Sequence, residues 1–267
     1  MRPRVHLIRA NGLVNGLGVG FWTAFSALAA GLCWPVLPAE AETEVDVQLV
    51  LAVDASGSVD AEEYVLQMSG IAAAFRDPQV LAAIAKGYHG RIAVALVTWA
   101  ESAEPKDASP WHVVADPAGA ERFARLAERF PRRVVGGTGI GRALFFSMRL
   151  IEDSGFKSTR RVIDLSGDGA ETPTRYFSVN APQAKARARA SGITINGLAI
   201  LTDEPELQAH YRNRVISGPG AFAMAAASYG DIAEALRRKL IREIEYRPDV
   251  SRLLPPAAPA RGPVSRP

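Results

Sequence analysis

Val45-Asp46-Val47-Gln48-Leu49-Val50-Leu51-Ala52-Val53-Asp54-Ala55-Ser56-Gly57-Ser58 passes from an alternating pattern into an unbroken apolar run and then into a turn. The run has the character of a central strand covered on both faces. At its end a carboxylate and two hydroxyls stand on alternate positions, D-x-S-x-S, with Gly57 permitting the bend. Hard oxygen donors converging on one point suit a divalent cation such as Mg²⁺, or Mn²⁺ or Ca²⁺ in its place.

Outward from this stretch, strands alternate with helices. Asp60 is placed to cap a helix, with Glu63 in the capping-box position and Tyr64, Met68 and Ile71 along one face. Asp77-Pro78 starts another helix, with proline at its first position. Residues 91–99 form a second strand and 111–114 a third. Asp116-Pro117 opens a helix that buries Phe123, Leu126, Ala127 and Phe130 and ends at Pro131. Ile140, Leu144, Met148 and Ile151 mark an amphipathic helix that stops at Gly155. Residues 161–165 and 193–200 are two more buried strands, separated by a helix near 181–191 that Gly192 terminates. A last strand is expected at 221–226, and Ile232, Leu236, Leu240 and Ile244 line a final helix. There is no internal repeat. The alternation predicts an α/β fold with a doubly wound, mostly parallel central sheet flanked by helices. Ligands of such sheets bind at the carboxyl ends of the strands, where the strand order switches. Asp54 sits at such an end.

Two further segments join it. Gly136-Gly137-Thr138-Gly139-Ile140-Gly141 precedes a helix, so Thr138 offers a hydroxyl on a loop with little side-chain bulk. Leu165-Ser166-Gly167-Asp168-Gly169 follows a strand and brings a second carboxylate to the same edge. Three loops thus offer two carboxylates and three hydroxyls.

In these motifs the chain resembles the von Willebrand factor A-type fold with its metal-ion-dependent adhesion site, and the resemblance spans residues 45–246. It implies that Ser56, Ser58 and Thr138 touch the cation, while Asp54 and Asp168 hold it mainly through water and orient the hydroxyls. Val-Asp-Ala-Ser-Gly-Ser-Val-Asp, Arg-Val-Ile-Asp-Leu-Ser-Gly-Asp-Gly, Gly-Ile-Thr-Ile-Asn-Gly-Leu-Ala-Ile and Gly-Pro-Gly-Ala-Phe are also similar to a bacterial DUF1194-type family of exported proteins with this fold. That second resemblance strengthens the fold and the metal site and supplies no reaction. Neutral hydroxyl ligands leave most of a dication's charge uncompensated, so an open coordination position can accept a carboxylate from a partner's Asp or Glu. The implied function is non-enzymatic, metal-dependent protein binding. A second possibility keeps the fold and gives the cation only the task of fastening three loops.

The chain ends read differently. Arg2, Arg4 and Arg9 precede a charge-free stretch over residues 10–39, broken by Pro35 and Pro38 and followed by the small-x-small pattern Ala39-Glu40-Ala41. Residues 1–41 therefore read as a signal peptide, which places the mature chain in the periplasm or outside the cell. The alternative is a retained inner-membrane anchor over residues 12–32, since about 20 apolar residues are enough to span a bilayer. Cys33 is the sole cysteine; Leu32 before it argues against lipidation, and cleavage at Ala41 removes it, so the fold rests on its core without a disulfide. Without Arg2, Arg4, Arg9 and Glu40, the 31 basic and 28 acidic residues become 28 and 27. Such a balance gives no reason to invoke nucleic acid. Residues 42–247 then form the domain. Residues 248–267, with Pro255-Pro256-Ala257-Ala258-Pro259 at their centre, read as a Pro-rich disordered tail.

Each motif has a plainer reading. D-x-S-x-S is common turn chemistry, Thr138 is placed to cap the helix after it, and Asp168 suits an ordinary turn. A haloacid-dehalogenase-type phosphatase would use Asp54 as nucleophile and Asp168 in its late acidic motif. It needs a second carboxylate two residues after the nucleophile, where this chain has Ser56, and a hydroxyl cannot make that proton transfer. The glycines at 136–141 do not give G-x-G-x-x-G, and Ser56 lacks the G-x-S-x-G elbow. His89, His112 and His210 are scattered without ligand spacing. Trp99 and Trp111 suit core or edge packing better than contact with a partner. Arg237, Arg238, Lys239 and Arg242 read as a solvated helix face. Glu171 is placed either to add an oxygen near the site or to face water.

Overall fold

All eight residues of the strand Val47–Asp54 are buried, as its apolar run demands. The computed structural model describes residues 42–101, 106–172 and 178–247. The expected signal peptide, membrane anchor and Pro-rich tail lie outside the described residues. In chain order the elements are β1 (Thr43–Glu44), β2 (Val47–Asp54), α1 (Ala61–Arg76), α2 (Pro78–Ala85), β3 (Ile92–Trp99), β4 (Asp107–Ala108), β5 (His112–Val114), α3 (Pro117–Glu128) and α4 (Ile140–Glu152). They continue with β6 (Phe156–Lys157), β7 (Arg161–Gly167), α5 (Ala181–Ala190), β8 (Ile193–Ile200), α6 (Leu207–His210), β9 (Ala223–Ala226) and α7 (Ile232–Glu245).

The main sheet runs β4-β3-β2-β7-β8-β9, with β5 also paired to β3. Strands β3, β2, β7, β8 and β9 are mutually parallel. The chain leaves β2 for β3 on one side and returns through two helices to β7 on the other, so the strand order reverses at β2. Asp54, the last residue of β2, stands at that switch point.

Helix starts follow the capping signals. Asp60 accepts the Glu63 N–H at 2.8 Å while the Glu63 carboxylate accepts the Asp60 N–H at 2.8 Å. Asn180 and Gln183 repeat this reciprocal pair at α5, while the Asp77 and Asp116 side chains accept the N–H of Gln79 and of Gly119 to cap α2 and α3; all three helices have proline in the first turn. Gly155 (φ +70) and Gly192 (φ +64) take the left-handed conformation at two helix ends, where a side chain would be strained.

The strands' period of two divides the core. Leu49, Leu51 and Val53 join Met68, Ile71 and Phe75 of α1, Phe123 of α3 and Leu236 and Leu240 of α7. Val50 and Ala52 face the other way, towards Leu144, Met148 and Ile151 of α4 and Ala184 and Ala188 of α5. On that second side α4 and α5 touch closely at their starts. A Cβ on Gly141 would lie 2.3 Å from the Val179 carbonyl oxygen and 2.3 Å from the Asn180 carbonyl carbon. Both obstacles are backbone, so Gly141→Ala is expected to cost at least about 1–3 kcal/mol in urea unfolding. An unchanged midpoint would show that the two helix starts separate freely.

The strand expected at 111–114 begins at His112 and runs antiparallel to β3. Its neighbour β4, also antiparallel, has no counterpart in the sequence reading. Between them Ser109 exchanges hydrogen bonds with Leu96, its N–H donating at 2.8 Å and its hydroxyl accepting at 2.9 Å. Pro110 has no N–H to continue the ladder, so the edge breaks into two short pieces.

The basic cluster on α7 is the larger correction. Lys239 is fully buried. Its ammonium contacts Asp164 of β7 and lies 2.6 Å from the Glu243 carboxylate. Asn196 of β8 donates to the same Glu243 oxygen at 2.8 Å. Burial first, and then the Asp164 charge, pushes the Glu243 pKa up. Trp99 is likewise buried in the second core, and Trp111 packs against it and against Phe156. Among the described residues no helix is long and apolar enough to cross a membrane.

Candidate metal centre

Asp54 ends β2 with no exposed surface. Its backbone is pinned from both sides: Gln67 of α1 donates to its carbonyl at 3.1 Å, and the next residue's N–H reaches the Trp99 carbonyl at 2.8 Å. One carboxylate oxygen accepts the Ser56 N–H at 2.8 Å. The other, Oδ2, is buried without a hydrogen-bond partner. Burial, opposed by the Ser56 hydrogen bonds, lifts the carboxyl from 3.8 to about 7.

The hydroxyls gather beside it. Ser56 Oγ and Ser58 Oγ are 3.3 Å apart. Ser58 donates to Asp168 Oδ1 at 2.7 Å, which joins the first and third loops directly. Asp168 Oδ2 accepts the Tyr229 hydroxyl at 3.0 Å. The second loop is tied to the first by the Gly57 N–H, which donates to the Gly136 carbonyl at 2.8 Å. Thr138 does not cap α4: the residue in the cap position is Gly139, with no side-chain hydrogen bond. Its hydroxyl faces the third loop instead, 3.7 Å from where a Cβ on Gly169 would sit. The five residues singled out by sequence therefore lie on adjoining loops at the carboxyl edge of the sheet.

Three participants were not legible in the sequence. The Arg132 guanidinium donates to the carbonyls of Ala55 (3.1 Å) and Ser56 (2.7 Å), holding the D-x-S-x-S backbone from outside. Its position in an irregular segment gave no signal. Tyr229 is the second, and Tyr211 the third. The Tyr211 hydroxyl is buried without a partner, and burial with nearby Asp54 and Asp168 keeps it a neutral phenol. Gly167 makes room for it. A Cβ there would stand 2.7 Å from Asp54 Oδ2 and 2.8 Å from the Tyr211 oxygen.

This donor set fits a hard dication. A buried carboxylate oxygen with no partner is costly unless a positive charge meets it. Every nearby donor is oxygen, which suits Mg²⁺, Mn²⁺ or Ca²⁺ rather than a soft thiolate-bound metal. Among the described residues no three His, Cys, Asp or Glu side chains converge, so the fit depends on hydroxyls. Glu171 is half-buried and spends its carboxylate on backbone: its two oxygens accept the N–H groups of Gly141 and Ala181.

The model of the family described as "Protein of unknown function (DUF1194)" matches residues 44–248. The chain belongs to the DUF1194 family. No curated protein matches the sequence. The DUF1194 chain shares its fold with the pilus adhesin SpaC from Lactobacillus rhamnosus GG, at 15% identity and a TM-score of 0.54, over 75% of this chain and 31% of that one. It shares it also with proximal thread matrix protein 1 of the mussel byssus (16% identity, TM-score 0.54, 76% and 49% coverage). A form of the mussel protein with a zinc-occupied metal-ion-dependent adhesion motif matches at 17% identity and a TM-score of 0.52. The DUF1194 chain thus spans less than half the length of these neighbours. At such identities they show the fold, and that fold is von Willebrand factor A-like.

Proposed function

We propose that the domain is an exported, non-enzymatic protein-binding module that holds a divalent cation and uses it to capture a carboxylate. Ser56, Ser58 and Thr138 supply neutral oxygens, while Asp54 and Asp168 orient the hydroxyls and balance part of the charge through water. When bound, the cation supplies an electrophilic open position for the Asp or Glu side chain of a partner. Mg²⁺ is the natural occupant of such an oxygen set, with Mn²⁺ or Ca²⁺ as substitutes. The adhesin and byssal neighbours support an extracellular or periplasmic setting for this kind of work.

The observation that carries this reading is Asp54 Oδ2, a buried carboxylate oxygen without a hydrogen-bond partner, in the same loop as the Ser56 and Ser58 hydroxyls, which lie 3.3 Å apart. The purely structural alternative is weakened by how well the loops already hold one another. Ser58 binds Asp168, Gly57 binds Gly136, and Arg132 binds two carbonyls of the first loop. Loops fastened this way do not need a cation to close them, which leaves its charge for a ligand.

The test is calorimetric titration of Mg²⁺ and Mn²⁺ into chelator-stripped protein, followed by binding of a glutamate-bearing peptide with and without chelator. One cation per chain is expected, with peptide binding lost in chelator. Peptide bound equally well by the stripped protein would overturn the reading. Arg132→Ala, which frees two carbonyls without touching an oxygen donor, is expected to weaken Mn²⁺ by roughly 10–100-fold. Arg132→Lys should recover little of that, because one ammonium cannot span two carbonyls as the planar fork does.

A further inference from the structure

We infer that Glu171 and Thr172, which close the acidic loop, form a clamp that sets the position of Thr138 and are therefore positioning residues for the cation. The inference rests on the proposed cation site. Glu171 lies three residues after Asp168, and its two carboxylate oxygens go separate ways. Oε1 accepts the Gly141 N–H at 2.7 Å and Oε2 accepts the Ala181 N–H at 2.8 Å. Gly141 is in the first turn of α4, whose cap residue Gly139 has no side chain to offer. Ala181 is the first residue of α5. A single negative charge thus faces two helix N-termini at once, where it is favoured by both sets of unpaired N–H groups.

Thr172 acts on the residue that matters. Its N–H and its hydroxyl both donate to the Thr138 carbonyl, at 3.0 and 3.1 Å. Thr138 is therefore gripped on its own peptide by Thr172 and, three residues on, at Gly141 by Glu171. The helix it leads into cannot yield, because Gly141 sits against the backbone of Val179 and Asn180. On the other side of the clamp is Asp168, held by Ser58 and Tyr229. The distance between the Thr138 hydroxyl and the Asp168 carboxylate is thus set by Glu171 and Thr172 rather than by either loop alone. A bidentate acceptor is needed for this. Glutamine offers one acceptor oxygen and would turn its NH₂ towards the other N–H.

Mn²⁺ alone is the probe, read by its dissociation constant and by the water-proton relaxation of the bound ion. Glu171→Gln is expected to weaken Mn²⁺ by about 10–100-fold and Thr172→Val by a smaller factor. Relaxation should rise in both, as water replaces a displaced Thr138 hydroxyl. The double variant should be less than additive, because both residues act through one group. Glu171→Gln and Thr172→Val keep the size of the side chain, so both should fold. Unchanged affinity and relaxation alongside a lowered melting temperature would reduce the pair to ordinary caps and overturn the inference. An Asp54→Ala variant that binds Mn²⁺ like the wild type would instead remove the cation site itself.

Discussion

Asp54→Ala is expected to abolish measurable Mg²⁺ and Mn²⁺ binding, a loss beyond the roughly 10–100-fold typical of removing a residue that merely orients a ligand. The carboxylate is fully buried, fixes Ser56 through its N–H, and contributes a carboxylate oxygen that has no hydrogen-bond partner. The same facts predict an opposite effect on stability. Without a cation the buried charge is unfavourable, and Asp54→Asn removes it while keeping an oxygen for the Ser56 N–H. In chelator, Asp54→Asn should therefore melt higher than the wild type, by an amount on the order of 1–3 kcal/mol. In saturating Mg²⁺ the order should reverse, since only the wild type gains binding energy. A variant that is less stable than the wild type in chelator would mean that Asp54 is already compensated by groups such as Arg132 or Tyr211, and the argument from its orphaned oxygen would fail.

How far the sequence reaches is clear from which residues act locally. The central strand, the capped helices and the order of the three loops depend on patterns within about ten neighbours, and they were legible from residues 45–58 onward. D-x-S-x-S is local in the same sense, because Asp54 and Ser56 find each other two residues apart. What escaped was long-range pairing. Arg132 reaches carbonyls 76 and 77 positions away. Tyr229 reaches Asp168 across 61 positions, and no spacing rule announces either contact. Glu171 has two readings on sequence alone, because nothing in Ala170-Glu171-Thr172 reveals that two helix starts converge on it. The reversal at β4 and β5 escaped for another reason: its two strands are too short to carry a period, and the decisive feature is one proline in an edge.

Lys239 shows the same gap at its widest, and it supports the other large prediction. On helical pattern it belongs with Arg237, Arg238 and Arg242, yet it enters the sheet face between Asp164 and Glu243. Lys239→Met removes the cation from a site that two carboxyls share, and should destabilise the domain by about 3–5 kcal/mol in guanidinium unfolding. The cost should depend on pH. The groups facing Glu243 are Asp164 from β7, Asn196 from β8 and Lys239 from its own helix, while Arg160 donates to the Glu243 carbonyl. An acid whose folded pKa is raised above its ordinary 4.5 binds its proton more tightly folded than unfolded. It therefore favours the fold below that raised pKa, and the benefit disappears as pH rises through it. Without Lys239 the shift is larger, so the variant's penalty should shrink on going from about pH 8 to about pH 5. Adding Glu243→Gln, which keeps an acceptor for Asn196, should recover a good part of the loss at pH 8. A penalty that is equal at both pH values and indifferent to Glu243→Gln would show that Lys239 matters for its packed methylene stem and not for the charge it neutralises.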